Sequence, residues 1–237
     1  MTPYPPPPFT DPEPHGFIYL GFQAQPARPL PVYTRTSRRR REAARLLRAV
    51  PAIARRPDVA SARVFRAVFI PPIPGTPRYD LAMLIRTGRP DQLEAVRTCD
   101  ELAAVNGEQL LAGVNVARIG DTEARTDGIF LFNHFTAGRD TDAEAVWRFL
   151  AGWYTTKTGV DNSTALRPTA PSPFVLVNYA RLPAGALRFV SGQLVRPSFH
   201  RFVRATLDAH GMRALPAFHQ LVPATPDGDG DRNEARA

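Results

Sequence analysis

The chain has very little cysteine or lysine. Cys99 is its single cysteine, so no disulfide can form within the chain, and Lys157 is its single lysine. Its longest apolar stretches fall well short of the roughly 18 residues that a membrane-spanning helix needs. The start, Met1-Thr2-Pro3-Tyr4 onward, lacks the basic region and apolar core of a signal peptide. These absences predict a cytoplasmic protein without a membrane segment, in which Cys99 is a small buried residue.

The composition is that of a globular protein with an excess of positive charge. Hydrophobic residues make up 43% of the 237 positions and charged residues 22%, which argues against disorder. The formal net charge is +8, a balance that favours anionic partners. Much of the excess lies in the run Arg38 to Arg41, which has no zinc finger, helix-turn-helix or RNP signature beside it. We therefore interpret the run as a solvated helix face and do not expect nucleic acid binding.

Sequence motifs typical of common nucleotide-binding and catalytic sites are missing as well. There is no GxGxxG, Walker or GxSxG pattern. The five histidines show no short ligand spacing with acidic partners, and a second cysteine is lacking, so we predict no metal site. Function must therefore be sought in the fold and in isolated polar residues.

The two ends differ in composition from the rest of the chain. Residues 1–14 are proline-rich and residues 224–237 are polar with two glycines, so both are predicted to be disordered tails. Between them, residues 15–122 and 123–223 show the same order of elements, β-α-β-β-α-β. In the first half the predicted elements are 16–22, 37–54, 63–70, 79–86, 91–105 and 111–118. In the second half they are 128–135, 141–159, 163–167, 174–181, 198–211 and 217–222.

Each half is predicted from hydrophobic periodicity. The run from Gly128 to Phe135 is dense in aromatic and β-branched residues, as in a buried strand. In the helix that follows, Val146, Leu150 and Trp153 recur at helical spacing, and Gly159 stands where a left-handed C-terminal cap is expected. The polar segment that begins at Gly159 and continues to residue 164 is either a pocket rim or ordinary turn chemistry.

This order of elements resembles that of the dimeric α/β-barrel (ferredoxin-like) superfamily, in its fused, two-repeat form. A βαββαβ unit forms an antiparallel four-stranded sheet with both helices on one face, so its other face needs a cover. The resemblance covers roughly residues 15–223 and rests on the order of elements, not on a shared side-chain motif. It predicts an α+β protein with two tandem ferredoxin-like repeats whose antiparallel sheets face each other as an α/β barrel.

The resemblance implies a ligand site between sheet and helices or between the two sheets. Polar residues on apolar strands are then the candidates, because an unpaired buried polar group is costly. Side chains alternate along a strand, so Asn133 and His134 point to opposite faces, and at most one faces the space between the sheets. On a later strand Tyr179 and Arg181 share a face, and Asn178 takes the other.

These residues define a hypothetical site. We predict His134 as a base, with Arg181 or an asparagine holding an oxyanion. The catalytic candidates are His134, Asn133, Tyr179 and Arg181. The substrate-binding candidates are Asn178, His219 and Trp153. Each has a structural alternative: a satisfied core histidine, an asparagine at a strand end, an arginine that snorkels to solvent, or a core tryptophan.

The function implied is binding of a small organic molecule. If the protein is an enzyme, the resemblance points to a cofactor-independent monooxygenase, cyclase or isomerase acting on an aromatic or polyketide-like substrate. A non-catalytic binding or interaction protein is the alternative, and a homo-oligomer is left open. A second alternative is a haem protein, because chlorite dismutases and dye-decolourising peroxidases carry haem on a histidine of the C-terminal repeat. His200 and His210 lie in the corresponding helix, although the distal GxxDG motif of the peroxidases is absent.

Overall fold

The computed structural model describes residues 4–26 and 31–224. Its strands are β1 Phe9–Thr10, β2 Gly16–Phe22, β3 Val59–Phe69, β4 Leu81–Thr87, β5 Glu108–Ile119, β6 Ile129–Thr136, β7 Ser163–Pro168, β8 Leu176–Leu182 and β9 Arg213–Leu221. Its helices are α1 Ser37–Ala54, α2 Leu93–Arg97, α3 Asp100–Val105, α4 Ala143–Thr158, α5 Ala186–Leu194 and α6 Ala205–Ala209. A 3₁₀ turn, Pro90–Gln92, precedes α2, and a π-helical segment, Phe199–Arg204, runs directly into α6.

Eight strands close into one antiparallel barrel. The order is β5-β2-β4-β3 from the first half and β9-β6-β8-β7 from the second, and β7 pairs back onto β5. The halves are joined where Phe65 on β3 lies opposite Leu221 on β9 and where Gly113 on β5 lies opposite Pro168 on β7. Closure leaves neither half with a bare sheet edge. The predicted α+β class and two-repeat barrel are confirmed; 15–122 and 123–223 are kept as the proposed extents of the repeats.

The lumen of the barrel is packed with aromatic rings. Tyr19 stacks on Phe132 with 4.7 Å between ring centroids, and Phe65 meets Phe132 edge-on at 5.3 Å. Tyr179 stacks on the other side of Phe132 at 4.9 Å. Large aromatic side chains bury much apolar area and favour such offset and edge-on contacts. The outward faces of the strands are covered by helices α1 to α3 in the first half and α4 to α6 in the second.

Local signals explain where the main helices begin and end. Thr36 caps α1 by accepting from the backbone N–H of Arg39, and Asp142 caps α4 by accepting from Ala145. Gly159 ends α4 in the left-handed conformation, with φ 72°, as predicted. The helix predicted over 91–105 is divided, because the backbone is extended at Cys99, a buried residue as predicted.

The predicted N-terminal tail is wrong for residues 4–14. Phe9 pairs with Ile119 as part of β1, and its ring lies 6.0 Å from that of Trp147. The Tyr4 ring contacts Phe202 at 4.9 Å. The prolines between these two aromatic anchors restrict the unfolded chain, so less conformational entropy is lost when the segment docks. Residues 1–3 and 225–237, which include almost all of the predicted C-terminal tail, lie outside the described residues.

Helix α5 was not predicted from the sequence. Its N-terminal residue lacks a capping side chain, and only Ala186, Phe189 and Gln193 are buried, so its apolar face is short. Leu187, Leu194 and neighbouring Val195 are exposed, which obscures the helical period. Among the residues described, no helix is long and apolar enough to span a bilayer.

Candidate functional site

A cavity of about 50 Å³ lies between the second half of the barrel and the helices that cover it. The outward-facing side chains of β6, β7 and β8 form its floor, and α4, α5 and α6 form its roof. Its walls are mostly apolar, as at Leu131, Phe135, Leu150 and Phe189. Apolar walls with a few convergent polar groups are the usual make-up of a ligand site.

The polar groups on the floor of the cavity come from strands β6, β7 and β8. Asn133 on β6 lies directly opposite Asn178 on β8, and both are at least nine-tenths buried. The Ser163 hydroxyl donates to Asn178 Oδ1 at 2.5 Å. Asn133 Oδ1 has no hydrogen-bond partner among the described residues. Because a buried acceptor without a donor costs about 1–3 kcal/mol, Asn133 is the polar group best placed to meet a ligand.

The cavity contains no group that ionises near neutral pH. The side chains that line it in the described part of the chain include no histidine, cysteine, methionine or charged residue. Burial raises the pKa of the Tyr154 hydroxyl, so it remains a neutral phenol. The lining can donate and accept hydrogen bonds, but it supplies neither a general base nor a thiolate or imidazole ligand.

His134 faces the barrel lumen and is separated from this cavity by its own strand. It is fully buried, and Nδ1 lies 2.9 Å from the carbonyl oxygen of Leu215. If Nδ1 donates there, Nε2 accepts from the Tyr19 hydroxyl at 3.3 Å. Burial lowers the pKa of His134 to about 4, so the ring is neutral. With both nitrogens engaged, His134 has the contacts of a satisfied core histidine, and its role as a base stays a prediction that this geometry does not favour.

The remaining candidates are distributed over three places. Tyr179 and His219 lie in the lumen with His134, and Arg181 lies at one end of it. Trp153 is fully buried within the helical layer and donates from Nε1 to the Ser198 hydroxyl at 3.1 Å; it does not line the cavity. Only two of the predicted residues, Asn133 and Asn178, reach the cavity. The predicted separation of Asn133 from His134 is confirmed.

The polar segment after Gly159 forms part of the pocket rim, and its asparagine bonds a neighbouring strand. Val160 and Ser163 line the cavity, so part of the segment is a pocket rim. Asn162 connects the segment to β8. Its side chain donates to the Arg181 carbonyl oxygen at 2.9 Å and accepts from the Arg181 N–H at 2.7 Å. The sequence did not single out the aromatic and aliphatic lining, since its residues look like any other core residues.

The histidines considered as haem ligands do not fit that role. His200 is exposed, with Nε2 2.8 Å from the carbonyl oxygen of Leu194. His210 is exposed as well, with Nδ1 2.8 Å from the carbonyl oxygen of Thr206. Neither lines the cavity, whose volume of about 50 Å³ admits a few water molecules but not a macrocycle. Across residues 4–26 and 31–224, no cluster of histidine, cysteine or carboxylate side chains could hold a metal ion.

We therefore expect that neither His200 nor His210 ligates haem. Absorption spectra of haemin titrated with the wild type, His200→Ala and His210→Ala should be the same near roughly 400 nm, where a ligated haem absorbs. A sharp band that appears with the wild type and is lost in either variant would contradict this expectation.

A second concave surface, open to solvent, runs along α1. Arg38, Arg41 and Arg48 contribute to it at helical spacing and have no partner in the part of the chain described, whereas Arg45 pairs with Glu42 at 2.6 Å. Arg38, Arg40 and Arg41 of the run are thus exposed, whereas Arg39 is largely buried and pairs with Asp80 at 2.9 Å. That it does not bind nucleic acid stays a prediction.

Comparison with known proteins informs the fold. No family model matches the chain, and no curated protein matches it in sequence. A provisionally assigned chlorite dismutase of known structure is 10% identical, with a TM-score of 0.53 over 89% of this chain and 95% of that one. A provisionally assigned monooxygenase from Lactobacillus acidophilus (11% identity, TM-score 0.46, 89% and 95%) and a haem-binding protein from Thermus thermophilus (11%, 0.47, 93% and 96%) are weaker matches.

Identities this low bear on the fold and not on the chemistry of the site. The first match extends over nearly the whole of both chains, and the barrel described above is closed from two βαββαβ halves. The chain has the fold of the dimeric α/β-barrel superfamily in its fused, two-repeat form.

Proposed function

We propose that this protein binds a small, largely apolar organic molecule in the cavity of its second repeat. The observation that carries the proposal is the unpartnered Asn133 Oδ1, buried in a mostly apolar wall. A free acceptor calls for a donor, so the ligand should present a hydroxyl or N–H group beside its apolar part. A phenol is the simplest molecule that combines the two.

Helix α5 is the element that would admit such a ligand. It contributes Phe189 to the roof but buries few other side chains, and Leu187 and Leu194 on it are exposed. Elements with few buried apolar contacts open at low free-energy cost. Movement of α5 would enlarge the cavity beyond the volume seen with the roof closed.

Binding without catalysis is the function that the lining supports best. A cofactor-independent oxygenase, cyclase or isomerase needs a group that takes or gives a proton, and the pKa of such a group should lie near the working pH. The lining of the cavity offers no such group, and His134 lies on the other face of β6. Catalysis in this cavity would require a substrate that gains or loses a proton without help from a protein group. We therefore prefer the non-catalytic interpretation.

The test compares phenol with toluene, which has a similar shape but no donor. Calorimetric titration gives the affinity ratio of phenol to toluene for the wild type and for Asn133→Leu. One hydrogen bond is worth about 1 kcal/mol, so this ratio should fall roughly five- to tenfold in Asn133→Leu. Using the ratio removes the intrinsic difference in hydrophobicity between the two molecules.

Thr155→Val is the matched control. Thr155 also lines the cavity, but its hydroxyl already donates to the Gly152 carbonyl oxygen at 3.1 Å. This variant should keep the wild-type ratio. An unchanged ratio in Asn133→Leu, or failure of both molecules to bind the wild type, would refute the proposal.

A further inference from the structure

Three arginines enter the barrel lumen at one end. Alternation along the strands places Arg63 on the same face as Phe65, Arg86 on the same face as Leu84, and Arg181 on the same face as Tyr179. Phe65, Leu84 and Tyr179 belong to the lumenal core. We call Arg63, Arg86 and Arg181 the arginine layer. Their guanidinium groups lie next to a core that is otherwise aromatic and aliphatic.

Two carboxylates from outside the eight barrel strands meet this layer. Glu123, in the segment between the two halves, accepts through one oxygen from Arg86 at 2.7 Å and lies 3.0 Å from an Arg63 nitrogen. Glu13, which precedes β2, lies 3.6 Å from Arg86 and 3.5 Å from Arg118. Both glutamate side chains are less than a tenth exposed. Three guanidinium groups, those of Arg63, Arg86 and Arg118, thus share two carboxylates, and Arg181 adds a fourth positive charge to the region.

The nearby Asp127 side chain does not neutralise this excess of positive charge. The Asp127 carboxylate interacts electrostatically with Arg181, but it is bonded to Arg125 through both of its oxygens, at 2.9 and 2.7 Å. The arginine layer therefore retains positive charge that the described residues do not neutralise.

Several hydrogen-bond donors in this region are buried without an acceptor. They are Arg63 Nη1, Arg86 Nε, Arg181 Nε and the Tyr179 hydroxyl, none of which has a partner in the described chain. Tyr179 is 1% exposed. Burial and the nearby Glu123 charge raise its pKa, so the hydroxyl keeps its proton and can donate. Buried donors are nearly always satisfied in folded proteins, so such a group of them indicates a missing acceptor.

We propose that the arginine layer and Tyr179 form a binding site for a small oxyanion, either a carboxylate or inorganic phosphate. Guanidinium groups match the planar or tetrahedral oxygens of these anions with paired, charge-assisted hydrogen bonds. Glu123 already places one carboxylate oxygen between Arg63 and Arg86, which is the interaction that a free anion would extend. The site is independent of the proposed ligand cavity, because Tyr179 and Asn178 point to opposite faces of β8.

The experiment follows the thermal unfolding midpoint of the full chain as phosphate or formate replaces chloride at constant ionic strength. One of the two anions should raise the midpoint of the wild type saturably, because a ligand that binds only the folded state stabilises it. The anion that does so identifies the class. In Tyr179→Phe the apparent affinity should fall about tenfold, as expected for loss of one hydrogen bond to a charged acceptor.

Two further variants make the result specific. Tyr154→Phe removes a buried hydroxyl from the other side of the sheet and should leave the anion response unchanged. Glu123→Gln removes a competing charge and should increase the affinity for the anion. If neither anion shifts the wild-type midpoint beyond chloride, or if Tyr179→Phe responds like the wild type, then water alone satisfies the layer and the proposal is wrong.

Discussion

Between pH 7 and pH 4.5 the free energy of unfolding should fall by about 5 kcal/mol, because two histidines are buried as neutral rings. Burial lowers the pKa of His134 to about 4. It lowers that of His219 to about 3, with a further contribution from His134. Both rings lie in the aromatic lumen, where a charge would lack solvation. A loss of this size is comparable with the whole stability of many domains.

The sign follows from proton binding. In the unfolded chain both histidines take up a proton below about pH 6.5, whereas in the folded chain they stay neutral until about pH 4 and about pH 3. Between these limits the unfolded state binds more protons, so stability falls as the pH falls. Carboxylates such as Glu94, whose pKa a neighbouring arginine lowers, contribute only at the acid end of this range.

Urea unfolding measured at several pH values checks this prediction. His219→Leu should lose about half of the pH dependence, because it removes one of the two titrating groups together with its unpartnered Nδ1. The double variant His200→Gln/His210→Gln should keep the wild-type dependence, since both side chains are exposed. A stability that stays constant from pH 7 to pH 4.5, or resonances of His134 or His219 that titrate near pH 6.5 in the folded protein, would contradict it.

Gly113→Ala should be the most damaging single methyl addition at the seam between the two halves. The added methyl group would lie against the carbonyl oxygen of Arg167, far inside van der Waals distance, and 2.9 Å from Pro168 Cα. Both contacts are backbone atoms of β7, which cannot rotate away. Relief requires that β5 and β7 separate where the barrel closes. We expect a loss of about 3 kcal/mol, the upper part of the range for overpacking.

Gly138→Ala provides the comparison, because a methyl group there meets nothing closer than the Thr141 hydroxyl at 4.0 Å. It should change the free energy of unfolding by less than about 0.5 kcal/mol, as at other unconstrained surface positions. Chemical unfolding of both variants measures the difference. If Gly113→Ala were as stable as Gly138→Ala, closure of the barrel through β5 and β7 would not limit stability.

The regular elements could be predicted because their signals are local. The aromatic run at Gly128 to Phe135, the helical spacing of Val146, Leu150 and Trp153, and Gly159 at the end of α4 each act within a few residues. Alternation along β6 likewise assigned Asn133 and His134 to opposite faces before any contact was known. These features depend on residue type and on neighbours a few positions away, so a short stretch of the sequence is enough to predict them.

The N-terminal segment and α5 could not be predicted in this way. Residues 4–14 are ordered only because Tyr4 and Phe9 find Phe202 and Trp147, which are more than 130 positions away in the chain. Because the segment is rich in proline, its composition alone predicted a disordered tail. For α5, the period is weak because much of its surface is exposed, and its position is set by what Phe189 meets beneath it.

By itself, the sequence determined the class of fold, the two-repeat order and the polar residues that interrupt apolar strands, because these follow from periodicity and residue type. Only the tertiary structure decided what each polar residue does. His134 finds the Leu215 carbonyl oxygen and Tyr19 in the lumen, whereas Asn133, one residue earlier, keeps an unpartnered oxygen in a cavity. Strand pairing and helix packing bring distant partners together, and a hydrogen bond depends on their distance in space, which residue order does not contain.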